Sequence, residues 1–174
     1  MIVVVAGVAG SGKTTVGQLL AGRLHWLFAD GDSFHPAANV AKMRAGLPLT
    51  DADRAPWLAA ITAWMDDVIT SGQSAVLACS ALKRRYREEL LAGRDQAEMV
   101  FLAISKEQDE ARLHSRRGHF FHEPLMASQF ADLEMPSGEP RVHLVTVGNR
   151  PAGQVAAEVI KLLGAAPAGS PSNP

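Results

Sequence analysis

MIVVVAGVAGSGKTT, residues 1–15, runs a string of apolar β-formers directly into a glycine loop, and the fold follows from how that junction is read. Ile2, Val3, Val4 and Val5 form too short a run for an ordinary helix, and all four are β-branched, which reads as a buried parallel strand. Gly7, Gly12, Lys13 and Thr14 then match G-x-x-x-x-G-K-[ST] at every fixed position. Beyond them, Thr14 to Leu24 carries Val16, Leu19, Leu20 and Leu24 at helical spacing. Strand, glycine loop and helix therefore come in the order a phosphate-binding loop requires. Glycine permits the tight turn and lets consecutive N–H groups close on an anion, and the helix start adds unpaired N–H groups and the positive end of its dipole. Gly7, Val8, Ala9, Gly10, Ser11, Gly12, Lys13, Thr14 and Thr15 are thus expected to line the phosphates of a nucleotide. Lys13 would reach the β- and γ-phosphates, and the Thr14 hydroxyl would face Mg²⁺. The rival dinucleotide fingerprint G-x-G-x-x-G fails, because Ala9 stands where its second glycine belongs.

Composition limits the partners. A chain of 174 residues, 47% of them hydrophobic, is expected to form one globular domain. A formal net charge of -1 and a pI near 6.6 give no basic field for nucleic acid or an anionic membrane, so the expected partner is a small molecule. The single cysteine, Cys79, lies in an apolar run and reads as a core thiol. No apolar stretch approaches the roughly 18 residues of a membrane span, and no basic segment precedes the first apolar run, so a cytoplasmic protein is expected.

Further apolar runs at Trp26–Ala29, Ala75–Cys79, Met99–Ile104 and Val142–Val147 read as strands. Between and after them, helices are expected over Ala37–Ala45, Trp57–Thr70, Leu82–Leu91, Lys106–Arg116, Pro124–Leu133 and Ala152–Leu163, with Pro56 in a first helical turn. Such alternation implies βαβ units and a parallel sheet. Residues 1–163 form the expected domain, and 164–174, GAAPAGSPSNP, read as a disordered tail.

Ligands of open α/β sheets gather at the carboxyl ends of the strands. The second run ends in Asp30-Gly31-Asp32. If the chain is still extended there, both carboxylates project to one side, one for Mg²⁺ or its water and the other for a substrate hydroxyl. An Asp-Gly turn is the ordinary alternative. His35 follows, ahead of a helix start. After the third run come Lys83, Arg84, Arg85 and Arg87, a solvated basic face from which Lys83, nearest the strand end, is the site candidate. Arg54, in the loop Leu49 to Arg54, can hold an anion through its bidentate fork, or pair with Asp51 or Asp53 instead. Arg112 and Arg116 lie four apart on one helical face and run into Arg117-Gly118-His119-Phe120-Phe121, which reads as a lid over 116–128, with cations that merely complement a helix dipole as the ordinary alternative. Arg116 would then serve as an arginine finger, Arg112 would meet the nucleotide and His119 the substrate. Gly148 to Pro151 is the expected adenine loop.

With these residues in view, the chain resembles the small P-loop gluconokinases. The match includes Gly7 to Thr14, DGDSFHPAANVAKMRAGLPLTDADRAPWL (30–58), CSALKRRYR (79–87), ARLHSRRGHFF (111–121) and QFADLEMP (129–136). The 30–58 block is far more specific than the phosphate loop. The resemblance implies a P-loop three-layer α/β/α sandwich with a five-stranded parallel sheet in order 2-3-1-4-5, like nucleoside monophosphate and shikimate kinases. It implies the reaction of ATP with D-gluconate to ADP and 6-phospho-D-gluconate, commonly in a homodimer. By similarity to shikimate kinases, Asp30 would organise Mg²⁺ and Asp32 would contact the substrate hydroxyl. The carboxylate of gluconate needs a cation, for which Arg54, His35 and Lys83 are the candidates. Two other readings stand beside this one: a kinase for another small hydroxy acid such as shikimate, and a nucleotide-gated switch. GTPase switches normally add D-x-x-G and N-K-x-D, and neither is found, since Asn149 is followed by Arg150 and Pro151.

Overall fold

Five parallel strands, in the order β2-β3-β1-β4-β5, make up the sheet at the centre of a computed structural model that describes residues 1–104 and 123–166, the side chains of 123–126 excepted. The strands are β1 (Ile2–Ala6), β2 (Leu27–Asp30), β3 (Ala75–Ala78), β4 (Ala97–Ala103) and β5 (Val142–Thr146). β1 sits between β3 and β4, with Ile2 opposite Ala75 and Ala97, and all five of its residues are buried. A strand covered on both faces has no reason to alternate, which is why its sequence reads as an unbroken apolar run. The expected strand order is thus observed.

Helices cover both faces. Side chains of β1 alternate: Ile2 and Val4 join one core cluster, Val3 and Val5 the other. On the first face lie α3 (Asp51–Thr70), through Trp57, Leu58, Ile61, Met65 and Val68, and α4 (Arg84–Leu91), through Tyr86, Leu90 and Leu91. On the second lie α1 (Lys13–Leu24), through Val16 and Leu20, and α6 (Ala152–Leu163), through Val155 and Val159. Two further helices, α2 (Ala37–Arg44) and α5 (Glu123–Asp132), stand at the carboxyl end of the sheet and flank the cavity described below. Residues 105–122 and 167–174 are outside the described set, so Lys106–Arg116 and most of the 164–174 tail are too. Of the expected lid, 123–128 is described and forms the start of α5.

Four expectations need correcting. The helix assigned to Trp57–Thr70 begins at Asp51, with Thr50 as its N-cap in a reciprocal capping box with Asp53, so Arg54 lies on a helix rather than in a loop. Pro56 therefore lies inside that helix, not in its first turn. The chain is not extended through Asp30-Gly31-Asp32: β2 stops at Asp30 and Gly31–Phe34 form a 3-10 turn. Arg87 belongs to no solvated face. It is fully buried, with Nε and Nη2 on the Glu139 carboxylate at 2.7 and 2.6 Å and Nη1 donating to the Leu82 carbonyl at 2.7 Å.

That pair clamps the segment after α5 to the start of α4. Beside Arg87 the Glu139 carboxyl is held below the usual glutamate range. Its ionised form is thus favoured by folding, and this stabilisation is present above the ordinary glutamate pKa and fades as pH falls through the lowered value. Arg87→Met strands the buried carboxylate and should lower the unfolding free energy by about 3–5 kcal/mol. Urea titration at neutral pH measures the loss, and a variant as stable as the wild type would show that the pair is dispensable.

Candidate active site

Three sequence-distant segments converge at the carboxyl end of β1. Gly7, Gly10 and Gly12 take φ of 138°, 79° and 96°, values that turn the loop so that helix α1 starts at Lys13. A Cβ on Gly7 would stand 2.7 Å from the Leu102 carbonyl oxygen and 2.8 Å from Ser11 Oγ, so the loop tolerates no side chain there. Ser11 Oγ is fully buried and, among the described residues, has no hydrogen-bond partner. An orphaned, buried hydroxyl in the glycine loop fits a loop built to receive a phosphate. Lys13 Nζ donates to the Val8 carbonyl at 2.9 Å, folding its ammonium over the same loop.

From β2, Asp30 reaches the start of α1: Thr14 Oγ1 donates to Asp30 Oδ2 at 3.1 Å. The other carboxylate oxygen, Oδ1, accepts from the Asp32 N–H at 3.1 Å and thereby caps the 3-10 turn. The turn forms here because Gly31 is pressed against β3, where a Cβ would meet the Ala78 carbonyl oxygen at 2.8 Å. The Gly31 carbonyl accepts from Trp57 Nε1 at 2.7 Å, which fixes the turn to α3. A hydroxyl and a carboxylate side by side at the phosphate loop are hard oxygen donors of the kind Mg²⁺ takes, one or two from protein and the rest from phosphate and water. Among the described residues no group of three or more His, Cys, Asp or Glu could hold a metal, so an all-protein metal cage is not what these residues build.

A cavity of about 510 Å³ opens beside the loop. That size is ordinary for a small-molecule site, roughly 300–1,000 Å³. Ala9, Lys13, Asp32, His35 and Arg54 all line it. Asp32 is exposed to it, and its carboxylate has no hydrogen-bond partner among the described residues. His35 stacks on Trp57, with ring centroids 4.6 Å apart and planes 9° from parallel. Burial lowers the His35 pKa, against the pull of Asp32, so the ring is neutral at pH 7 and offers hydrogen bonds rather than charge.

The cations form a separate wall. Arg54 Nη2 lies 2.9 Å from Asp132 Oδ2, and Nη1 donates to the Tyr86 hydroxyl at 3.3 Å. Lys83 is the N-cap residue of α4, and its Nζ is 3.1 Å from Asp51 Oδ1 and 3.2 Å from Asp132 Oδ1. It does not line the cavity. Asp51 also accepts from Arg85 and Tyr86, and these contacts, that of Arg85 foremost, hold its carboxyl far below the usual aspartate range. Arg54 thus faces both the cavity and the carboxylates behind it, whereas Lys83 is spent on the carboxylates. Arg112, Arg116 and His119 lie outside the described residues. Cys79, just beyond β3, is buried, and burial pushes its thiol up to about 12, as expected of a core thiol.

Several lining residues carried no expectation from the sequence. Arg44, at the end of α2, reaches the cavity with no ion-pair partner among the described residues. Trp57, Tyr86, Gln129 and Asp132 line it as well. Gln129 and Asp132 are three apart on α5 and so share a face, a spacing visible in QFADLEMP but without meaning until α5 is placed against the loop.

The chain is similar to known proteins over most of its length. The shikimate kinase family model matches residues 9–163. A gluconokinase of Gluconobacter oxydans is 49% identical over 148 residues, which cover 85% of this chain and 83% of that protein. Among solved structures, a sugar kinase from Janibacter is 38% identical, with a TM-score of 0.89 over 96% of each chain. A gluconokinase from Sinorhizobium meliloti is 40% identical, with a TM-score of 0.83 over 93% of this chain and 90% of that one.

Proposed function

This chain belongs to the shikimate kinase family, and on that footing we propose that it transfers the γ-phosphoryl group of ATP to D-gluconate, giving ADP and 6-phospho-D-gluconate. The observation that carries the reading is the meeting, in one cavity, of the phosphate loop at Ala9 and Lys13 with the unpartnered Asp32 carboxylate and a cation, Arg54. Relatives named gluconokinase match over most of the chain, which favours gluconate over another hydroxy acid.

Phosphoryl transfer asks little covalent chemistry of a protein: two oxygens must be held in line and the charge of the moving group compensated. Lys13 supplies one compensating charge, and Arg116, from the 116–128 lid of the 1–163 catalytic unit, supplies another. The loop Gly7 to Thr15 holds the phosphate oxygens through those backbone N–H groups not already bonded within the protein, as those of Gly7 and Ala9 are, with Arg112 against the nucleotide. Thr14 and Asp30 would hold Mg²⁺, which when bound would supply positive charge to the phosphates undergoing transfer. Asp32 accepts a hydrogen bond from the terminal hydroxyl of gluconate, aligns its oxygen on the γ-phosphorus and takes the proton as the new bond forms. His35, neutral, and His119 bind hydroxyls of the chain, while Arg54 meets the carboxylate, with Arg44 at the rim and Lys83 holding Asp132 and Asp51 behind it. The protein is a cytoplasmic enzyme and works as a homodimer.

Purified protein with MgATP and a panel of small hydroxy acids, its products identified by mass spectrometry, tests this. A phosphorylated product from D-gluconate and none from shikimate is expected. Preference for shikimate, or slow ATP hydrolysis indifferent to every acceptor, would overturn the reading in favour of the second kinase or the switch. Arg54→Ala should raise the KM for gluconate about tenfold or more, with a smaller change in kcat, because a charge-assisted hydrogen bond contributes about 1.5–3 kcal/mol. An unchanged KM removes Arg54 from the acid site.

A further inference from the structure

Helix α5 is hydrogen-bonded to the phosphate loop. Gln129 Oε1 accepts a hydrogen bond from the Ala9 N–H at 2.7 Å, a contact between residues 120 apart in sequence. The geometry of a carboxamide makes this informative. Ala9 N–H is a donor, so the oxygen of Gln129 must face the loop and the NH₂ group must face elsewhere. Among the described residues that NH₂ group has no hydrogen-bond partner, and the residue lines the same cavity as Ala9, Lys13 and Asp32. The helix is held in place from the same face: three residues on, Asp132 binds Arg54 and Lys83.

We propose that Gln129 is a catalytic residue for phosphoryl transfer, donating from Nε2 to an oxygen of the group in flight while its Oε1 fixes the loop at Ala9. The N–H pair belongs to a residue that lines the same cavity as Ala9, Lys13 and Asp32. In the open cavity water can accept from it, and the transferred phosphoryl group brings oxygens that can take the place of that water. A donor prepositioned by a backbone contact costs nothing to reorganise as charge shifts onto those oxygens. The helix that follows the lid would in this way read whether the loop carries a γ-phosphoryl group. The proposal rests on the phosphoryl-transfer reading above, but not on the identity of the acceptor.

Two substitutions separate the donor from the acceptor half of the side chain. Gln129→Glu keeps an oxygen for the Ala9 N–H and removes the NH₂ donors. Gln129→Met removes both. Each is made in the intact chain, with thermal unfolding and ADP affinity measured alongside kcat for gluconate and the slow hydrolysis of ATP by water. We expect both to lower kcat about 10²–10³-fold, with ADP affinity within about threefold of wild type, and both to slow water-only hydrolysis as well. If Gln129→Glu turns over at the wild-type rate while Gln129→Met does not, the bond to Ala9 is the whole role and the proposal fails. If both match the wild type, it fails outright. Failure of the gluconate reading is seen separately, as a wild-type enzyme that ignores gluconate, and the hydrolysis measurement still tests Gln129 in that case.

Discussion

Asp32→Ala should lower kcat with gluconate by about 10²–10⁴-fold, the usual range for losing a positioned proton acceptor, while the protein unfolds at the same temperature. The second half of that expectation comes from the site itself. The Asp32 carboxylate makes no hydrogen bond among the described residues; its backbone does the structural work, the N–H donating to Asp30 Oδ1 and the carbonyl accepting from the His35 N–H to hold the 3-10 turn. Removing an exposed, unpartnered carboxylate leaves no buried group unsatisfied. ATP affinity should also hold, because the phosphates bind the loop and Lys13. Steady-state kinetics with a thermal melt checks both halves, and near-normal turnover would remove Asp32 as the base.

Lys13→Ala should be still more damaging, about 10³-fold or more in kcat, since a cation on the transferring phosphoryl group can be worth 10³–10⁵. Its structural cost is smaller. The ammonium donates to the Val8 carbonyl at 2.9 Å, and the net loss of such a charged bond is about 1.5–3 kcal/mol. A variant that folds and fails to turn over separates chemistry from stability. A variant retaining a tenth of the wild-type kcat would mean that the remaining charge comes from elsewhere.

The parts of this fold that were legible in the sequence are those decided locally. Ile2 to Thr14 carries strand, loop and helix start within one short span, and each step follows from side-chain branching, glycine freedom or periodicity. The sheet order came with the family resemblance. Asp30 and Asp32 were placed at the right end of the right strand, but by the wrong geometry: what turns the chain is the press of Gly31 against Ala78, a contact across 47 residues. Pro56 drew the start of α3 too late, although Thr50 and Asp53 already spelled a capping pair. Arg87 read as one more charge in a basic run because its partner, Glu139, lies 52 residues away. Gln129 and Asp132 are the clearest case of information absent from local pattern. Nothing in their own helix marks them, and only the packing of α5 beside Ala9 and Arg54 gives them a role.

The central claim is spatial: the amide loop after β1 and the carboxylate just past β2 act on one phosphoryl group. A crystal structure with a non-hydrolysable ATP analogue, Mg²⁺ and D-gluconate measures it directly. The expected result is an Asp32 oxygen within hydrogen-bonding reach of the terminal hydroxyl of gluconate, with that hydroxyl oxygen about 3–3.5 Å from the γ-phosphorus and in line with the leaving oxygen. An acceptor seated away from Asp32 in a closed complex, or an Asp32 carboxylate turned from the γ-phosphate, would contradict it.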